Sequence, residues 1–315
     1  MDNSDMTALE IGIDIGGTKT HLRAYDKAGS PHDFILPTAE WRVRNWEKDA
    51  VALLAIAEKF AEGAQISGIA VGAHGCDNAD ECTAFQTALE RHAAFPVQVV
   101  NDAELLPAAL GLSNEIGLVA GTGSIAVSRT GEGRMLVAGG WGWIIGDEGS
   151  ASGLMREAGR AVALHLDYGG LADEPLVTLL FKALGITSSA RIGSSIGSSG
   201  GASALGSHAH IIFEAASMGS LLARQVIRDG AKELADLVAR LKHKGSEATT
   251  VVAGGSVIAS QPMLWTAFAD QIATRFTGHV AARLYLGPPV EGACRLATRL
   301  GVTTIGGGLP ASYSS

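Results

Sequence analysis

The 315-residue sequence predicts an α/β protein assembled from two similar halves. Two observations carry that prediction. Ile11-Gly12-Ile13-Asp14-Ile15-Gly16-Gly17-Thr18-Lys19-Thr20-His21-Leu22 reads as strand, glycine turn, strand, with Thr20, Leu22 and Ala24 sharing one face. The run from Ile116 through Gly121-Thr122-Gly123-Ser124 to Ile125-Ala126-Val127 has the same layout, Ile11 aligning with Ile116, Gly12 with Gly117, Ile13 with Leu118 and Gly16 with Gly121. After each start, helical and strand periodicities alternate, as in an α/β domain.

Taken in order, Glu10–Ile15, Thr20–Tyr25 and Phe34–Leu36 read as strands, with the turn chemistry of Asp26–Pro31 between the last two. Trp46–Glu62 has helical spacing, with Val51, Leu54 and Ala55 marking one face. Ile66–Val71 is a strand, Glu81–His92 a helix, Val97–Val100 a strand ending at Asn101-Asp102, and Ala103–Leu110 a short helix closed by Gly111. The second half opens with Ile116 and a third apolar run at Met135–Ala138. Helices follow at Glu148–His165 and Glu174–Ala183. Arg191–Ser207 is rich in Gly, Ser and Ala with little to bury, and is expected to be mobile. His210–Ala216 and Leu221–Lys242 are helical, the second with a stripe at Leu222, Val226, Leu234 and Val238. Thr249–Ala253 is a strand, Met263–Phe276 a helix, Ala282–Leu286 a strand and Val290–Leu300 a helix. The expected domains are 1–112 and 113–288, with a helix at about 289–301 packing back on the first and a polar tail over 302–315.

Composition narrows the function classes. A net charge of −8 disfavours a general nucleic-acid binder, which needs a basic face. Residues 1–9 have neither the basic nor the apolar region of a signal peptide, and no apolar run approaches the length of a membrane span. Cys76, Cys82 and Cys294 form no disulfide framework and no Cys-x-x-Cys pair, which favours reduced thiols in a cytoplasmic protein.

The glycine turns are the candidate chemistry. In a dinucleotide fold or Walker loop the glycines open a helix. Here strands follow them, so a phosphate would meet backbone N–H groups at the turn itself. A third turn, Gly254-Gly255-Ser256, ends the apolar run Val251–Ala253. Asp14 among isoleucines needs a reason for its charge, a metal or a structural hydrogen bond. Asp102 ends a strand where a carboxylate can face a cleft; a plain helix cap is the competitor. Asp147 and Glu148 lie among glycines beside Trp141 and Trp143. The bland alternatives are a helix-start acidic pair for the carboxylates and core packing for Trp141. For Lys19 a solvated turn lysine is the competing reading. Trp46 and Trp265, on helical faces, read as core.

D-I-G-G-T-K at Asp14–Lys19, N-D-A at Asn101–Ala103, G-T-G-S at Gly121–Ser124, G-G-W-G-W-I-I-G-D-E-G-S-A at Gly139–Ala151 and G-G-S at Gly254–Ser256 together resemble the N-acetylglucosamine kinase branch of the BadF/BadG-type ATPases. These belong to the actin/sugar-kinase/heat-shock ATPase superfamily. The resemblance runs from residue 10 to about 300 and implies two ribonuclease-H-like domains with an ATP/sugar cleft between them. It implies ATP and Mg²⁺ as cofactors and a homodimer, although no sequence feature identifies an interface. Gly16, Gly17, Thr18 and Lys19 resemble a first phosphate loop and Thr122, Gly123 and Ser124 a second. Gly255 and Ser256 match an adenosine loop, with Ala215 near the nucleotide. Asp14 would hold Mg²⁺ through water, and Asp102 matches the catalytic base. Asp77, Gly140, Trp141, Gly142 and Asp147 match sugar-contacting positions.

Two departures bear on the sugar. Thr38-Ala39-Glu40-Trp41 lacks the asparagine of the family's T-N-x-W-like run, and His74 stands where a small hydroxyl residue is usual. The resemblance implies a 6-kinase of N-acetylglucosamine, with glucosamine, N-acetylmannosamine, N-acetylmuramic acid and glucose as alternatives. An activator ATPase of a radical dehydratase shares the superfamily, but the three cysteines are not spaced for its shared cluster. A sugar-kinase-fold repressor would need a helix-turn-helix segment ahead of the first strand.

Overall fold

The computed structural model describes residues 8–305, and side chains as far as residue 300. The described residues divide into two compact units, 8–113 together with 287–305, and 114–286. In the first unit lie β1 (Leu9–Ile15), β2 (Lys19–Tyr25), β3 (Pro31–Pro37), α1 (Trp46–Phe60), β4 (Ile66–Ala73), α2 (Ala79–Glu90), β5 (Val97–Asn101) and α3 (Leu105–Ala109). The second unit contains β6 (Ile116–Ala120), β7 (Ser124–Arg129), β8 (Met135–Gly139), α4 (Ala151–Asp167), α5 (Pro175–Leu184), α6 (Ile192–Gly197), α7 (Ala202–Gly206), α8 (His210–Ser217), α9 (Leu221–His243), β9 (Thr250–Gly254), α10 (Ser256–Ser260), α11 (Pro262–Arg275) and β10 (Ala281–Leu284). The last helix, α12 (Val290–Ile305), returns to the first unit.

The duplication read from the glycine turns extends to the sheets. The first sheet runs β3-β2-β1-β4-β5 and the second β8-β7-β6-β9-β10. In each, the first three strands pair antiparallel and the last two join in parallel. The antiparallel hairpins hold the glycine turns at their tips. Four residues, Gly16 to Lys19, separate the paired Ile15 and Thr20, and three, Gly121 to Gly123, separate Ala120 and Ser124. Thr20, Leu22 and Ala24 are buried together, as their alternation requires.

Helix ends follow local rules. Asn45, Asn78, Ser150 and Ser220 cap α1, α2, α4 and α9, each accepting from the backbone N–H three residues on. Pro175 occupies the first turn of α5 behind the Glu174 cap, and Gly185 closes that helix in the left-handed conformation. In α9, Val226, Leu234 and Val238 are buried and Leu222 is half-buried against the core.

Several expectations are corrected. The buried face of α1 is Ala50, Leu53, Leu54, Ala57 and Phe60, while Val51 and Ala55 are exposed. Small alanines on the inner side allow close approach there. The first long helix of the second unit begins at Ala151, because Asp147 and Gly149 take positive φ and leave Ser150 as the cap. Residues 191–207 fold into α6 and α7, anchored by buried Ile192 and Leu205, so the segment is not a bare linker. Helix α12 continues to Ile305, past the expected tail boundary; residues 306–315 of that tail lie outside the described residues. Trp46 packs against Phe85 and Trp265 against Phe268. No single helix among the described residues is long and apolar enough to cross a membrane.

Helix α12 is fastened to the first sheet by polar and steric means. Arg23 makes a two-pronged pair with Asp33 on the next strand at 2.8 and 2.9 Å and reaches Glu291 of α12 at 3.2 Å. His21 Nε2 lies 2.6 Å from the same Asp33 carboxylate. The hydrogen bond from Arg23, with His21 adding to it, holds Asp33 down to about 2. Below the side chains, α12 lies directly on β1: a Cβ on Gly12 would stand 2.3 Å from the Cys294 nitrogen. Gly12→Ala therefore forces α12 away from the sheet and should lower Tm by about 5 °C or more. A thermal melt of the variant within ~1 °C of the wild type would show that α12 moves freely.

Candidate functional site

In the first unit, the three parallel strands bring polar residues to one edge. Ile15, Ala73 and Asn101 are in register across β1, β4 and β5. The next residue on each strand is therefore Gly16, His74 and Asp102, all at the carboxyl ends where α/β sheets bind ligands. Asp14 sits two residues before Gly16, inside this edge.

Asn101 is fully buried, and its side chain is spent on geometry. Its amide donates to the Cys76 carbonyl at 3.0 Å and to Asp77 Oδ1 at 3.2 Å, while its oxygen accepts from Ala103 N at 2.9 Å. Glu104 returns a bond to the Asn101 N–H, closing a capping box. The cap of this turn is thus Asn101 rather than Asp102, which leaves the Asp102 carboxylate unused by the backbone. Asn101 was visible in the sequence as a polar residue ending an apolar strand, but its bonds to the loop at 76–77 depend on strand neighbours distant in the chain.

The electrostatics reflect carboxylates held close together. Burial, followed by repulsion from Asp102, pushes Asp14 up to about 7, with Lys19 and His74 opposing the shift. Asp77 is raised by burial and then by Asp102. The His74 Nδ1 lies 3.6 Å from Asp102 Oδ2, and the carboxylate beside it raises the imidazole above its ordinary value. Arg42, which the sequence did not single out, donates from Nη1 to the His74 carbonyl at 2.7 Å and braces that loop. Cys76 and Cys82 are buried beside one another, and Cys294 lies apart on α12.

The second unit brings its predicted residues together around Gly121–Ser124. The turn Gly254-Gly255-Ser256 packs against it, with Ser256 Oγ 3.5 Å from where a Cβ on Gly121 would stand. Gly255 has φ 106° and no room for a side chain, since a Cβ would lie 2.7 Å from the Ala120 backbone. Unlike the first two turns, this one leads into a helix, α10. Asp147 is buried with φ 59°, a strained conformation of the kind that collects at functional sites. Its Oδ1 accepts from Ser124 N at 3.2 Å, so the carboxylate lies against the turn. The Gly140 N–H bonds the Ser124 carbonyl at 2.9 Å. Trp141 is 72% exposed, which removes the core alternative and leaves Gly140–Gly142 as an open rim. Ala215, on α8, is fully buried in the hydrophobic core and offers no surface of its own.

Comparisons with known proteins agree on the kind of molecule. An alignment 175 residues long, covering 51% of this chain, shows 31% identity to the N-acetylmuramic acid/N-acetylglucosamine kinase of Clostridium acetobutylicum. It spans 55% of that enzyme, so the likeness reaches about half the relative's length. A candidate N-acetylglucosamine kinase from Chromobacterium violaceum superposes with a TM-score of 0.66 at 23% identity, over 93% of this chain and 99% of that one. A ROK family glucokinase from Streptomyces griseus, solved with glucose and AMPPNP, superposes at 0.53 with 19% identity, over the same shares. The fold is thus the actin-like ATPase fold with two ribonuclease-H-like units. Residues 11–294 match one family throughout, and the chain belongs to the BadF/BadG/BcrA/BcrD ATPase family.

Proposed function

We propose that the protein is an ATP-dependent kinase that phosphorylates the 6-hydroxyl of an amino sugar, N-acetylglucosamine first among them. The observation that carries this reading is Asp102: a carboxylate at the end of β5, relieved of capping by Asn101, with the first glycine turn on the same strand edge. The Clostridium relative acts on N-acetylmuramic acid and N-acetylglucosamine, which supports the substrate class.

In this reaction the sugar oxygen attacks the γ-phosphorus, the bond to the ADP oxygen breaks, and Asp102 accepts the hydroxyl proton. Lys19 and the turn amides of both units meet phosphate oxygens, and Gly255 and Ser256 flank the adenosine. Asp77 and Asp147 accept from sugar hydroxyls, with the Gly140–Gly142 rim beside the sugar. Ala215, buried in α8, contributes to the nucleotide site only by supporting the segment around it.

Asp14 suits Mg²⁺. Burial, and then the neighbouring Asp102, disfavour its charge, which a bound cation would favour. No group of three or more metal-binding side chains is gathered among the described residues. An ion at Asp14 would be held by that one carboxylate, water and phosphate oxygens. Bound there, Mg²⁺ would neutralise charge on the transferring phosphoryl group. The cytoplasm, where ATP and sugars meet, is the proposed compartment, and a homodimer the proposed assembly.

Two experiments test the reading. Coupled ADP release with Mg·ATP, across N-acetylglucosamine, N-acetylmuramic acid, N-acetylmannosamine, glucosamine and glucose, should show strong stimulation by an N-acetylated sugar. Sugar-independent hydrolysis would reject it. Asp102→Asn should depress turnover ~10²-fold or more while ADP and sugar affinities stay within a few-fold; near-normal turnover removes Asp102 from the base role.

The sign of the Asp14 shift gives a separate test. Because folding raises its pKa, the unfolded chain releases this proton first as pH rises from about 4 to about 7, and stability is lost over that window. Without Mg²⁺, Asp14→Asn should raise Tm by ~3 °C or more at about pH 8 and leave it unchanged at about pH 4, while abolishing turnover. An equal melt at both pH values would show that Asp14 carries no such strain.

A further inference from the structure

A tight turn can present a row of amides to a phosphate only if its carbonyls are turned the other way, and buried carbonyls need donors. Both hairpin turns meet that requirement through a hydroxyl residue far away in sequence. In the first unit, Thr38 Oγ1 donates to the Gly16 carbonyl at 2.9 Å and Thr38 N donates to the Thr18 carbonyl at 3.0 Å. The Lys19 carbonyl is taken by Gly16 N at 2.9 Å. A directed relay stands behind Thr38. The Trp41 Nε1–H, which can only donate, bonds Thr20 Oγ1 at 3.0 Å, and Thr20 lies 2.9 Å from Thr38 Oγ1. With Thr38 donating to Gly16, the Thr20 proton must point at Thr38, so every hydroxyl in the chain has one orientation.

The second unit reaches the same end with different parts. Ser152 donates to the Thr122 carbonyl from Oγ at 2.7 Å, with its N–H at 3.4 Å. Ala151 N takes the Gly121 carbonyl at 2.8 Å and Gly121 N takes that of Gly123 at 3.0 Å. Ser124 Oγ donates to the Glu148 carbonyl at 2.8 Å, closing the loop onto the segment before α4. In both turns the inner N–H groups, of Gly17 and Thr18 and of Thr122 and Gly123, have no acceptor among the described residues. Thr38 and Ser152 are both buried, whereas Gly17, Thr18 and Thr122 are exposed.

We infer that Thr38 and Ser152 are paired positioning residues that hold the two glycine turns with their amides outward, preorganised for the phosphates of a nucleotide. The inference rests on the nucleotide-binding part of the proposed function and adds two residues to it. Ser152 follows directly on the G-D-E-G-S-A segment, whose Ala151 N–H and Glu148 carbonyl also bond the turn, so that segment has a second role beyond Asp147. The segment locks the turn that lies some 25 residues ahead of it.

The test compares ADP with adenosine, which lacks the phosphates, by calorimetry. Thr38→Val keeps the shape and the backbone N–H but deletes the hydroxyl; Ser152→Ala deletes the other. Each should weaken ADP about ten-fold and leave adenosine within about two-fold, with KM for ATP rising in step. Thr38→Ser should restore ADP affinity. Should Ser152→Ala fail to fold, Ser152→Cys, a weak donor of similar size, should show the same selective loss. ADP affinity within about two-fold of wild type in both hydroxyl-deleted variants, or equal losses for ADP and adenosine, would overturn the inference while leaving the kinase reading intact. A wild-type protein that binds neither ADP nor ATP would overturn both.

Discussion

Carboxylates crowded at the carboxyl ends of β1, β4 and β5 are the constraint to which the first unit answers. Burial raises the cost of charge on Asp14 and Asp77, and the Asp102 carboxylate beside them adds to it. The surrounding groups answer that cost one by one. His74 stands against Asp102, Asn101 donates to Asp77, Arg42 secures the loop carrying His74, and Lys19 opposes the shift on Asp14. Carboxylates whose charge is disfavoured in this way collect at functional sites more often than in plain cores.

The two units show one topology put to two uses. Strand order and direction are the same in both, and so is the placing of a glycine turn at the first hairpin. What differs is the material around that turn. The first unit braces it with Thr38 from the 3₁₀ turn after β3, and the second with Ser152 from the first turn of α4. The acidic edge belongs to the first unit, where His74 and Asp102 follow directly on β4 and β5. In the second unit β9 ends in Gly254-Gly255, whose bare backbone packs on Ala120. Equivalent positions thus supply charge in one unit and close backbone approach in the other.

Much of this was legible in the chain. The strands of both units, the hairpin glycine turns and the stripe of α9 follow from periodicity and turn chemistry, which act over a few residues. The inner face of α1 was misread because its alanines at 50, 55 and 57 are alike in the sequence, and which of them is buried is set by tertiary partners such as His32 and Phe34, on which Phe60 packs. The segment 191–207 looked too poor in apolar residues to fold, yet Ile192 and Leu205 suffice because a ready-made core receives them. Asn101 could be seen as a polar residue at a strand end, but not as the cap that frees Asp102.

The sequence by itself therefore determined the α/β class, the duplication, and which residue types could serve a phosphate, a cation and a proton. Those properties depend on local spacing and on chemistry that each side chain carries with it. Tertiary structure alone decided how the groups act on one another. Parallel pairing set Gly16, His74 and Asp102 side by side, and packing put Thr38 and Ser152 beneath the two turns. The pKa of Asp14 and the direction of a turn's amides are set by neighbours far away in the chain, and no local pattern records them.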